Sequence, residues 1–135
     1  MNYSVSIDVP RLDEGLRFYR DALGLCEIAR PAPTYVILKC GDSQIGLAEK
    51  SGGSRPAVGT DDVRRYERHW TPVHIDFHVD DFEVFLAKAV NARAKCEQKF
   101  EGLTRPTARA LLLCDLERRL ERFLCRTRVG GIAAR

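Results

Sequence analysis

The chain opens with an alternation. Val5, Ile7 and Val9 are apolar, and Ser4, Ser6 and Asp8 between them are polar, the period of a strand with one buried face. Pro10 closes it, because proline has no amide to give to a ladder. The period then lengthens. Leu12, Leu16, Tyr19 and Leu23 recur at helical spacing, Phe18 and Ala22 widen the stripe, and Gly24 suits a stop, which predicts a helix over Asp13–Leu25. Cys26–Arg30 predicts a short strand and Pro31-Ala32-Pro33 a break. Thr34–Lys39 and Gln44–Ala48 predict two more strands joined at a Gly41-Asp42 hairpin turn. Residues 49–70 carry loop chemistry, with a short helix predicted at Asp61–Arg68.

The opening pattern then returns. Val73 to Val79 alternates, Asp80-Asp81 suits a helix N-cap, and a helical stripe runs from Phe82 through Leu86 and Ala89 to about Cys96. The shift that lays Val5 on Ile75 also lays Ile7 on Phe77, Val9 on Val79, Leu12 on Phe82 and Leu16 on Leu86. The reading is a duplicated βαβββ module whose halves are each too small to stand alone. Its boundaries are residues 1–50 for the first module, 51–70 for a linker and 71–102 for the start of the second. Residues 103–135 are a divergent segment.

Composition narrows the class. The chain has 135 residues, 44% hydrophobic and 30% charged, with a net charge of +3, which fits one soluble domain and gives no dedicated nucleic-acid surface. No apolar run approaches the roughly 20 residues of a membrane helix, so no membrane association is expected. The start lacks a secretory pattern, and the expected location is cytoplasmic. Five cysteines without a CxxC pair fit reduced thiols better than a disulfide framework or a zinc site.

The strings Val5-Ser6-Ile7-Asp8-Val9, Leu12-Asp13 and Phe18-Tyr19-Arg20-Asp21-Ala22-Leu23-Gly24-Leu25 resemble the opening of the vicinal oxygen chelate superfamily. That superfamily contains glyoxalase I, fosfomycin- and bleomycin-resistance proteins and extradiol dioxygenases. The stretch from Val73 to Glu83 resembles the opening of its second module. The resemblance implies an α+β fold of paired βαβββ modules forming a curled, incomplete barrel around a cleft, often in a homodimer. It also implies a divalent metal (Zn, Ni, Mn or Fe) in the enzymatic members, held by residues of the first and last strands of each module. Of those positions, His74 is a matching type. Ser4 and Gly46 depart from the pattern, with Glu49 a weak substitute for the carboxylate expected at 46. The fourth position has no counterpart, and a catalytic ion needs about three protein ligands.

Beyond residue 102 the composition breaks. From Leu103 to Arg135 the chain uses eight Arg, seven Leu and no Lys. Leu112, Leu113, Leu116, Leu120, Phe123 and Leu124 form a stripe that predicts an amphipathic helix over Thr107–Arg126. Lysine-free Arg/Leu sequence is also what an out-of-frame stretch of a GC-rich gene encodes. Two readings therefore stand: a divergent C-terminal helix, or a frame change near codons 100–106 that replaced the end of the second module.

Two functions follow. The first is a glyoxalase/bleomycin-resistance-like protein that binds a small molecule in a cleft, with Tyr35 and Trp70 as candidate cleft residues and no metal required. The alternative is a metal-dependent lyase or dioxygenase chelating vicinal oxygens of its substrate, for which His74 is the candidate ligand. His78, four residues beyond His74 on the same strand face, is about 13 Å away and too far to share an ion. Arg64, Arg65 and Arg68 read as a solvated helix face.

Overall fold

The computed structural model describes residues 3–67, 73, 75–100, 109–114 and 123–127. The chain divides into two units, Met1–Tyr66 and Glu67–Arg135. In the first, β1 (Val5–Val9) leads into α1 (Leu12–Leu16), which runs on as a π-helical turn, Arg17–Ala22. Gly24, at φ 81°, ends that turn in a backbone conformation glycine adopts freely. β2 (Cys26–Ala32), β3 (Tyr35–Cys40) and β4 (Ser43–Glu49) complete a sheet of order β1-β4-β3-β2, with β1 parallel to β4.

Register explains the burial. Ile7 pairs with Leu47, which pairs with Val36, and Ile45 pairs with Leu38. These residues and Val9 are buried, as are Leu12, Leu16, Phe18 and Tyr19 of the helical segment. Each large apolar side chain so buried contributes roughly 1.5–3 kcal/mol. Gly15 lets the helix approach the sheet: a Cβ there would meet Val9 at 3.1 Å and Leu47 at 3.2 Å. The other side of the sheet carries Ser6, Asp8, Tyr35, Ile37, Gly46 and Ala48. Strand β2 runs through the expected Pro31 break. As an outer strand it carries two register shifts as well as Arg30 and Pro31, all features that discourage edge pairing.

The second unit repeats the plan. β5 (Ile75–Val79) and α2 (Phe82–Asn91) begin where the shift of Val5 onto Ile75 and Leu12 onto Phe82 puts them. β6 (Ala94–Phe100), β7 (Arg109–Cys114) and β8 (Phe123–Thr127) give the order β5-β8-β7-β6, again with the first and last strands parallel. Phe77, Phe82, Leu86, Ala89 and Ala94 are buried.

Three helix expectations are corrected. The helix of Thr107–Arg126 does not form over its described portions, which belong to β7 and β8; these pair with each other and with β6 and β5. Ladder pairing outweighs a leucine stripe that suits either period. The second module thus continues past residue 102 in two further strands. The helix from Phe82 ends at Asn91, and Arg93, at φ 71°, turns the chain into β6. Asp61–Glu67 is not helical. There Arg64 N–H donates to the Ser54 carbonyl, and Gly53 N–H donates to the Arg64 carbonyl, so this stretch folds back along the first unit.

Candidate functional site

The face of the first sheet turned away from its helix gathers the polar residues. Ser6 and Asp8 project there because they alternate with Val5, Ile7 and Val9. Ser6 pairs with Gly46, which pairs with Ile37; Asp8 pairs with Ala48, which pairs with Tyr35. Tyr35 reaches diagonally across β4, and its hydroxyl lies 3.2 Å from Ser6 Oγ. The ring passes over Gly46, where two of its carbons sit 2.8 Å from the place a Cβ would occupy. No side chain fits at position 46 while Tyr35 holds this position.

Asp8 faces a cation that the sequence pattern assigns to a solvated helix. Arg64 Nε donates to Asp8 Oδ2 at 2.7 Å, and Arg64 Nη1 donates to Ser54 Oγ at 3.2 Å and to the Arg55 carbonyl at 2.6 Å. The Arg64 side chain is only 15% exposed, against 39% for Asp8. Tyr66 adds a second tie, its hydroxyl donating to the Lys50 carbonyl at 2.6 Å. The signal for Arg64 is weak in sequence: an arginine beyond a glycine- and serine-rich stretch, 56 residues from its carboxylate.

Of the candidate residues, Tyr35 stands on this face and is half-buried. Glu49 does not. It alternates with Ile45 and Leu47 on the helix side of β4, and its Oε2 accepts the Leu12 N–H at 2.7 Å. Its carboxylate thus caps α1, whose own N-cap position holds Arg11 without a side-chain bond. His74 and Trp70 lie outside the described residues, as does His69. His78 is exposed on β5. Among the described residues no three His, Cys, Asp or Glu side chains are grouped to hold a metal ion. No described helix is long and apolar enough to cross a membrane.

The metal implied by the resemblance can be tested against this geometry in the first module. Its first-strand position is Ser4, a poor ligand for a divalent ion. Its last-strand position is Gly46, covered by a phenol ring. The first module does not fit the group.

The exposed charges cluster elsewhere, around the π-helical turn. Arg20 Nε donates to Asp21 Oδ1 at 2.7 Å, and Arg30 Nε donates to Glu27 Oε1 at 2.9 Å. These bonds lower the Asp21 and Glu27 carboxyls below their ordinary values. The Arg11 guanidinium does the same for Asp13.

Comparison with known proteins agrees with this architecture. A family model described as a glyoxalase-like domain matches residues 4–114. No curated protein matches the chain in sequence. Among solved structures it is similar to TioX from Micromonospora sp. ML1, with a TM-score of 0.67 and 14% identity over 94% of this chain and 98% of that one. It is also similar to a lactoylglutathione lyase from Agrobacterium tumefaciens, with a TM-score of 0.63 and 14% identity over 94% and 92% of the two chains. The fosfomycin resistance protein FosX from Mesorhizobium loti gives a TM-score of 0.63 and 15% identity over 98% and 92%. Likeness at this identity speaks for the fold, and with the family match it makes this chain a member of the glyoxalase-like domain family within the vicinal oxygen chelate superfamily.

Proposed function

We propose that this chain binds a small organic molecule without the help of a metal ion, on the sheet face that carries Tyr35, with a homodimer as the working form. The observation that supports this reading is Gly46. Where the resemblance asks for a carboxylate, the chain has no side chain, and the space above it is taken by Tyr35. With Ser4 at the other position, the first module offers no donor set that could bring a divalent ion to a substrate.

His74 favours a second reading, a metal-dependent lyase or dioxygenase, since its type matches the first-strand ligand of the second module. Elemental analysis of protein purified without chelator separates the two. Zn, Ni, Mn and Fe are expected far below one equivalent, unchanged in His74→Ala. A stoichiometric metal that disappears in His74→Ala would replace the proposal with the second reading.

A further inference from the structure

Three features of Tyr35 and Ser6 bear on what this face can hold. The first is the hydroxyl pair itself. A bond between Tyr35 Oη and Ser6 Oγ uses one of their two hydroxyl hydrogens, whichever oxygen donates. The other hydrogen and the oxygen lone pairs remain for a third group. The second is position. Ser6 is exposed and Tyr35 half-buried, so the pair stands where a molecule from solvent can reach it. The third is charge. Asp8, one row along the same face, has Arg64 against its carboxylate at 2.7 Å. Lys39 lies beyond Ile37 at the far end of β3, exposed and paired in register with Gln44.

We infer that the Tyr35–Ser6 hydroxyl pair is the polar anchor of a binding subsite for a neutral, oxygen-bearing organic molecule, which it holds by hydrogen bonds to a hydroxyl or carbonyl oxygen. An ion is disfavoured because the pair carries no charge and Asp8, one row along the face, is already matched by Arg64. A charged ligand would lose hydration without gaining a counter-charge at the anchor. A hydroxyl or carbonyl oxygen finds both a donor and acceptors there. The ring over Gly46 fixes where the phenol oxygen stands, so the anchor is set before a ligand arrives. The inference rests on the reading that this face meets the ligand, and it adds the class of molecule.

Amide chemical shifts of the full-length protein test it, with phenol as the neutral probe and acetate and methylammonium as charged comparators at equal concentration. Phenol is expected to shift the amides of Ser6, Gly46 and Ala48, and acetate and methylammonium are not. The double variant Tyr35→Phe/Ser6→Ala keeps the ring over Gly46 and removes both hydroxyls. It is expected to weaken phenol binding at these amides about two- to tenfold, the worth of one ordinary hydrogen bond. Unchanged phenol shifts in that variant would overturn the anchor, as would larger shifts of the same amides with either ion. Each of those results would leave metal-free binding standing, whereas a stoichiometric metal on His74 would remove that reading and leave this test unaffected.

Discussion

The two modules face one problem, seating the N-terminus of a helix against a four-stranded sheet, and solve it from different distances. In the second, Asp81 caps its own helix, its Oδ1 accepting the Val84 N–H at 3.0 Å. In the first, Arg11 occupies that position, and the acceptor comes from Glu49, 37 residues away at the end of β4. The local cap depends only on neighbours in sequence. The distant one ties the helix to the last strand, so it forms only when the sheet does. The helices differ in step. α1 lasts five residues before a π-helical turn and approaches the sheet through Gly15, whereas α2 runs ten residues and carries Phe85 at the matching place, its ring 5.8 Å from Phe77. Duplicated topology therefore does not imply duplicated anchoring, and a carboxylate on a last strand can serve the fold instead of a ligand.

The sharpest way to separate the modules is through Gly46. Gly46→Ala puts a methyl group where Tyr35 lies, so the ring must swing away, at an expected cost of about 1–3 kcal/mol. In a Tyr35→Ala background the same substitution should cost clearly less, a coupling above about 0.5 kcal/mol in urea denaturation. Additive costs would mean that the ring does not hold that place. Next come the caps. Glu49→Ala is expected to lower stability by about 1–2 kcal/mol and Asp81→Ala by about 0.5–1 kcal/mol, since the part-buried Glu49 bond joins distant segments and the Asp81 bond is exposed. Equal losses in the same denaturation assay would erase the contrast between the two caps.

The smallest effect is electrostatic. Asp13, Asp21 and Glu27 have carboxyls lowered by arginine partners. A lowered folded-state pKa contributes stability above the unfolded value, near 4, and that contribution is lost as pH falls through the folded value. Because these pairs are exposed, the effect should be slight and should shrink with added salt. An NMR titration from pH 6 to 2 checks it: Arg20→Ala should move Asp21 and Glu27 upward towards ordinary carboxylates. Unmoved midpoints would show that the pairs do not persist in solution.

Much of the fold was legible because the two periods are written plainly. Val5, Ile7 and Val9 name their buried face without ambiguity, and the match of Val5 to Ile75 and Leu12 to Phe82 locates both the second module's first strand and its helix. The helical stripe of the tail gives way to strands over the described residues for a physical reason. Leu112 and Leu113 fit a helical stripe continued by Leu116 and Leu120, while the run Leu111–Leu113 also fits a short apolar strand, and the choice is made by the pairing of β7 with β6 and β8, which no local window contains. The site was harder. Tyr35 could be named as a sheet aromatic, but its reach over Gly46 depends on register. That register was in fact available: the Gly41-Asp42 turn sets Cys40 opposite Ser43, and counting back puts Tyr35 opposite Ala48 and diagonal to Gly46. Glu49 is a residue whose helix-facing position can be read by following the alternation of β4 to the strand's end, whereas its bond to the Leu12 N–H depends on how the helix packs.

The phenol lying over a bare backbone position also sets an order on any route from this chain to a chelating one. A codon change at 46 that introduced an acidic group would first collide with the aromatic ring, so such a route has to begin at residue 35. Steric exclusion thus makes one mutation the gatekeeper of the other, and engineering that ignored the sequence of steps would pass through an overcrowded intermediate.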